Sequence, residues 1–176
     1  KNEHPTQALL DLYTVRQTTG RLDNLNFVIG GDLRQGPTAR SLAQLLSLYP
    51  DNQVTFVSTD ELQMENDVLE RLKARGIDPV TTDDLHAALP DADVVYWTRL
   101  QAERSDNKEL RSHFTIGDQE LELMKQNAVI MHPLPRNHEI TTSVDSDPRA
   151  KYWDQVRYGL YVRAALLDKL LTDGEL

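Results

Sequence analysis

Apolar residues fall in short blocks along this chain, and the blocks alternate between two periods. Ala8, Leu9, Leu12 and Val15 recur at helical spacing behind Pro5, a residue suited to a first turn, and Gly20 closes the segment. Leu25 to Gly31 reads as a buried strand, apolar from Phe27 onward and ending in two glycines. Gly36-Pro37 then opens a helix carrying Leu42, Leu45, Leu46 and Leu48, with Gly36 as N-cap. Val54 to Val57 reads as a second strand, Asn66 to Arg75 as a helix ending at Gly76, and Pro79-Val80 as a short strand before a helical turn at Asp83 to Leu89. Asp93 to Trp97 is the strongest strand. Asp118 to Gln126 is helical, Ala128 to Met131 is a last strand, and Arg149 to Leu171 is a long closing helix.

Short apolar strands alternating with amphipathic helices predict an α/β fold, a doubly wound parallel sheet with helices on both faces. Ligands of such sheets bind beyond the carboxyl ends of the strands. Three loops should meet there: Gly30–Pro37, Thr98–Arg104 and His132–Arg136. Each carries arginine. The chain as a whole has a net charge of −9, so arginines gathered on a binding edge point to a small anionic ligand, and general nucleic-acid binding is disfavoured.

Composition narrows the chemistry further. With 176 residues, 39% hydrophobic and 27% charged, the chain suits one globular domain with its own core. No apolar stretch reaches the ~20 residues of a membrane span, and the polar start Lys1-Asn2-Glu3-His4-Pro5 carries no apolar targeting core, so a cytoplasmic protein is expected. Cysteine is absent, which removes disulfides, thiolate nucleophiles and zinc–sulfur sites. No Gly-x-Ser-x-Gly elbow, His-Glu-x-x-His pair or other metal spacing occurs, so neither metal nor cofactor is expected.

Single motifs remain ambiguous. Gly30-Gly31-Asp32-Leu33-Arg34-Gln35-Gly36 lacks the spacing of a dinucleotide or Walker loop and reads as a tight strand-to-helix turn. His4 and Gln7, three apart at a helix start, can face one point, or simply cap the helix in solvent. Arg99 and Gln101 follow an apolar strand and share a side by alternation, so Arg99 can clamp a carboxylate or solvate a loop, whereas Arg104 with Glu103 and Asp106 reads as surface. His132-Pro133-Leu134-Pro135-Arg136 locks an extended backbone whose carbonyls are free to accept, with Leu134–Pro135 a candidate cis bond and His132 a structural residue. Tyr152, Trp153, Tyr158 and Tyr161 are read as packing.

Taken in order, His-Pro-Thr-Gln-Ala-Leu-Leu-Asp-Leu from His4, Gly31-Asp32-Leu33 before a helix, Tyr-Trp-Thr-Arg-Leu-Gln from Tyr96, and His-Pro-Leu-Pro-Arg from His132 resemble the aspartate carbamoyltransferase family. So do Val144 to Ala150 and Gly159 to Arg163. The sister ornithine enzymes typically carry His-Cys-Leu-Pro and Ser-Met-Gly, and this chain has neither. The resemblance implies an aspartate-binding domain over residues 1–176, with interdomain helices at about 4–19 and 159–171 and the amino-terminal carbamoyl-phosphate domain absent. The phosphate-gripping Ser-Thr-Arg-Thr segment is not in the sequence.

By the same resemblance, His4 and Gln7 are the catalytic candidates, holding the carbonyl oxygen and the amino group of carbamoyl phosphate. Leu134 and Pro135 complete that site through the Leu134 carbonyl. Arg99 binds an aspartate carboxylate, Gln101 helps orient the amine, and no metal is required. The family supplies a second arginine where this chain has Pro37, and Arg40 or Arg34 is the expected replacement. Implied partners are carbamoyl phosphate, L-aspartate, the missing domain and further copies of the chain, a trimer in the family, with a regulatory chain as a further candidate. Two other readings stay open: a non-catalytic binding or assembly module of the same fold, and a carbamoyltransferase for another amino acid.

Overall fold

Five strands with β-branched and aromatic side chains form one fully parallel sheet in the computed structural model, which describes residues 3–99 and 114–172. Strands β1 (Asn26–Gly30), β2 (Gln53–Val57), β3 (Val80–Thr82), β4 (Val94–Trp97) and β5 (Val129–Met131) lie in the order β3-β2-β1-β4-β5. The helices between them are α1 (Pro5–Thr19), α2 (Pro37–Leu46), α3 (Asn66–Lys73), α4 (Leu85–Ala88), α5 (Asp118–Leu123) and α6 (Tyr152–Thr172).

The period of two along each strand divides the core between the faces. Phe27, Ile29, Val54, Phe56, Val94 and Tyr96 pack with Leu12, Val15, Leu42, Leu46, Val68 and Leu72 of α1, α2 and α3. Val28, Val57, Val95, Trp97 and Ile130 pack on the other face with Leu85 and Leu89, Ile116, Val144 and Tyr152. Both faces are covered, as the continuous apolar strands require. The chain runs outward from β1 to β3 and then returns to place β4 beside β1, so the topological switch point lies between β1 and β4.

Three expectations change. Ala8, Leu12 and Val15, expected on an interdomain face of α1, are buried in the domain's own core together with Leu10 and the polar trio Gln7, Asp11 and Thr14, and of that expected face Leu9 is exposed, at 40%. The closing helix starts at Tyr152 rather than Arg149, because Arg149 O and Lys151 N bond Ile130 N and Ile130 O at 2.8 Å each, which spends that backbone on the edge of β5. A 3-10 helix over Thr142–Ser146 had no apolar periodicity to announce it. Gly20 and Gly36 sit where expected, as C-cap of α1 and N-cap of α2. Among the described residues no helix is long and apolar enough to cross a membrane.

Candidate active site

At the switch point two strand ends approach more closely than side chains allow. A Cβ on Gly30 would lie 2.0 Å from the Trp97 ring, and Gly31 has φ 107 with its Cβ direction blocked by the Thr98 carbonyl at 2.3 Å. Both positions require glycine. Thr98 fastens the junction, donating from its N–H (2.8 Å) and its hydroxyl (2.9 Å) to the Gly30 carbonyl. Beyond it opens a cleft of about 300 Å³ lined by Asp32, Gln35, Gly36, Pro37, Thr38, Thr98, Arg99 and Pro133. The three loops expected to converge therefore do so through their described residues, which for the middle loop are Thr98 and Arg99.

Arg99 is exposed at the mouth of this cleft. The Asn137 amide, oriented by its hydrogen bonds, accepts from Arg99 Nε (3.0 Å) and Nη2 (3.2 Å) and donates to the Arg136 carbonyl (3.2 Å). One oxygen thus receives two parallel N–H groups of the guanidinium, the edge with which arginine takes a carboxylate. Gln101 lies outside the described residues, as do Glu103, Arg104, Asp106 and His113.

The proline loop is held from beneath by a buried pair. His132 Nδ1 accepts from the Leu134 N–H (2.8 Å), so the ring proton sits on Nε2 and is donated to Glu139 Oε1 (3.0 Å). Glu139 also accepts from Asn137 N–H (3.1 Å). Burial pushes the Glu139 carboxyl upward, but the donors from His132, its own backbone and Asn137 outweigh this and hold it below the usual carboxylate range. His132 is structural, as expected. Leu134 has φ 48 and its bond to Pro135 is cis. The neighbouring Arg136 is taken up by Asp145 (2.5 Å) and the Tyr152 hydroxyl (3.2 Å).

Two further candidates lie on α1. Gln7 is buried and donates from Nε2 to Asp11 Oδ1 (2.8 Å), which leaves its carbonyl oxygen as the end without a hydrogen bond among the described residues. His4 is exposed at the N-cap of α1, anchored by its N–H on Ser41 Oγ (2.9 Å). Neither lines the cleft itself.

Arg40 requires a correction. It was the expected replacement for the cation missing at Pro37, yet its guanidinium is buried in an acidic cage, bonded to Glu3 (3.3 Å), Glu65 (3.0 Å) and Asp67. Three carboxylates absorb one cation, and Arg40 does not line the cleft. Arg34 is exposed and donates to the Glu61 carbonyl (3.2 Å). Replacing Arg40 leaves those carboxylates facing one another, so Arg40→Met should lower stability by roughly 1–3 kcal/mol. A urea midpoint equal to the parent's would contradict the cage. Asn137 and Glu139 were missed in the sequence because a carboxylate and an amide in a polar loop carry no periodic signal.

Comparison with known proteins agrees with this architecture. A family model described as aspartate/ornithine carbamoyltransferase, Asp/Orn binding domain, matches residues 23–170. Aspartate carbamoyltransferase 3, chloroplastic, of Pisum sativum is 45% identical over 97% of the chain and 45% of its own length. The catalytic subunit of M. jannaschii aspartate transcarbamoylase superposes with a TM-score of 0.93 at 41% identity, over 99% of this chain and 58% of that one. Trypanosoma cruzi aspartate transcarbamoylase, solved with carbamoyl phosphate and aspartate, gives 0.88 at 40% identity over 94% and 54%. The chain spans about half the length of these relatives. It belongs to the aspartate/ornithine carbamoyltransferase family, as the Asp/Orn-binding domain.

Proposed function

We propose that this chain is the aspartate-binding half of an aspartate carbamoyltransferase of pyrimidine biosynthesis, transferring a carbamoyl group from carbamoyl phosphate to the amine of L-aspartate. The observation that carries the reading is Arg99, set at the switch-point cleft with its Nε and Nη2 edge on the Asn137 amide oxygen, a place that a carboxylate oxygen of aspartate would take over, and with the Leu134 loop beside it. The Trypanosoma cruzi relative, solved with both substrates, supports the same pairing.

In this reading Arg99 clamps an aspartate carboxylate and Gln101 helps orient the amine. The Gln7 carbonyl oxygen and the Leu134 carbonyl accept from the carbamoyl NH₂, which has two donors to fill. His4 donates to the carbamoyl oxygen, where negative charge grows as the amine attacks and phosphate leaves. Holding two substrates in line is the main contribution such residues can make. A homotrimer and a cytoplasmic location belong to the same proposal, although the pea relative is named chloroplastic.

The test uses a completed enzyme, made by grafting this chain onto the remaining part of the M. jannaschii catalytic subunit. Arg99→Ala removes one partner of a charge pair, a loss of ~2–5 kcal/mol, so the KM for aspartate should rise at least about thirtyfold. Arg40→Met should leave that KM unchanged. A parent-like KM in Arg99→Ala would remove the aspartate assignment.

A further inference from the structure

Beneath the Gln7 and Leu134 sites lies a buried carboxylate that the proposed chemistry does not use. Asp11 is fully buried on α1, and one of its oxygens, Oδ1, accepts from two side-chain amides, Gln7 Nε2 at 2.8 Å and Gln155 Nε2 at 2.6 Å. Gln155, itself buried on α6, turns its Oε1 to the His132 N–H at 3.0 Å. The chain of contacts therefore runs from α1 through Asp11 to α6 and on to the start of the proline loop.

We propose that Asp11 is a positioning residue, whose carboxylate fixes which end of the Gln7 amide is presented and, through Gln155, ties the proline loop to α1. The inference rests on the reading of Gln7 and Leu134 as carbamoyl-phosphate contacts. Its logic is that of donors and acceptors. Whether ionised or protonated on Oδ2, the Asp11 carboxyl only accepts at Oδ1, so each amide must turn its NH₂ toward it. Gln155 Oε1 then has to point away, where it meets the His132 N–H, and the Gln7 oxygen likewise has to point away as an acceptor. Without Asp11 the Gln7 amide can rotate and offer NH₂ to the NH₂ of a carbamoyl group, donor against donor.

The cost of the arrangement argues for a purpose. Among the described residues neither Asp11 Oδ2 nor the Tyr96 hydroxyl, both buried, makes a hydrogen bond of ordinary geometry, although the two lie close enough for the hydroxyl to lower the carboxyl and for the carboxylate to raise the phenol. Burial raises the Asp11 carboxyl to about 7, against the pull of Gln155, Tyr96, Gln7 and the Arg163 charge on α6. The sign follows: folding takes up a proton at Asp11 between its unfolded value near 4 and about 7, so its contribution to stability falls as pH rises through that window. An apolar residue would pack here without that loss. His132, reached through Gln155, is the other titratable group facing the network, and its ring is spoken for by Leu134 and Glu139.

Two variants and one spectroscopic measurement decide the matter. In the completed enzyme, Asp11→Leu removes the acceptor and should raise the KM for carbamoyl phosphate at least tenfold while the KM for aspartate, measured at saturating carbamoyl phosphate, changes less than threefold. Asp11→Asn keeps one acceptor oxygen and should restore the carbamoyl-phosphate KM to within about threefold of the parent. A folded Asp11→Leu enzyme with the parent's carbamoyl-phosphate KM overturns the proposal, and so does an Asp11→Asn enzyme as impaired as Asp11→Leu. Should Asp11→Leu not fold, the ¹⁵N-labelled 176-residue chain supplies the decision. The Gln7 and Gln155 NH₂ signals and the His132 amide should titrate with one shared midpoint that vanishes in Asp11→Asn; independent or absent titrations overturn the coupling. A parent graft that transfers nothing would sink the proposed function instead, while the spectroscopic result still stands or falls by itself.

Discussion

The 176-residue chain assayed alone should show no carbamoyl transfer above background. Its cleft offers one wall, lined by Arg99, Pro37 and Thr38, and the chain spans about half the length of its relatives. Positioning two substrates can lower a barrier by ~7–11 kcal/mol, and one wall forfeits most of that. The same chain should associate with itself. On α6, Trp153, Val156, Leu160, Leu167 and Leu171 are between 53% and 72% exposed and follow one another at steps of three, four, seven and four, a single helical stripe. Leu9 adds to the exposed apolar surface from α1, whereas Ala8, Leu12 and Val15, expected to lie bare beside it, are buried in the domain's own core. Surfaces of this kind drive association. Sedimentation should therefore give a mass that rises with concentration, and a fixed monomer mass would contradict the exposed stripe.

Replacing Pro37 by arginine in the completed enzyme should lower the KM for aspartate by about ten- to a hundredfold. Pro37 lines the cleft with Arg99 and offers neither charge nor donor, and among the described residues the other lining side chains include an acid, Asp32, but no second cation. One added charge-assisted hydrogen bond is worth ~1.5–3 kcal/mol. The change costs little locally, because Pro37 opens α2, where the backbone N–H of any residue is unpaired. Steady-state kinetics at saturating carbamoyl phosphate decide it. An unchanged KM would mean that aspartate's second carboxylate is held elsewhere than at the start of α2.

How far the sequence revealed this molecule depended on whether a residue's role was written in periodicity. Phe27 and Ile29 against Val28 show a strand buried on both faces, and Gly36-Pro37 and Gly20 mark helix ends by their backbone chemistry alone, so those elements were legible. The face of α1 was not. Counting apolar residues turned Ala8, Leu12 and Val15 toward another domain and passed over Asp11 and Gln7, which the helix buries and whose burial is tolerated because amides on two helices satisfy one carboxylate oxygen. Arg40 failed for a related reason. Its place one turn beyond Pro37 was visible, but the acids that claim it come from Glu3, Glu65 and Asp67, distant in sequence and joined only by the fold. The place of Arg99 and the proline loop at the cleft was legible because both follow strand ends, the edge where ligands of doubly wound sheets bind. Asn137 and Glu139, which brace them, were not, since loop residues announce nothing until their partners are in place.

Carbamoylation of aspartate is the activity expected of this half once it is completed. It is tested most directly by a radiolabelled carbamoyl-phosphate assay on the chain grafted onto the remaining part of the M. jannaschii catalytic subunit, with aspartate and ornithine as competing acceptors. N-carbamoyl-aspartate should be the product, formed by the graft and not by the chain alone. A graft that folds and binds carbamoyl phosphate yet transfers to ornithine, or to neither amino acid, would contradict it.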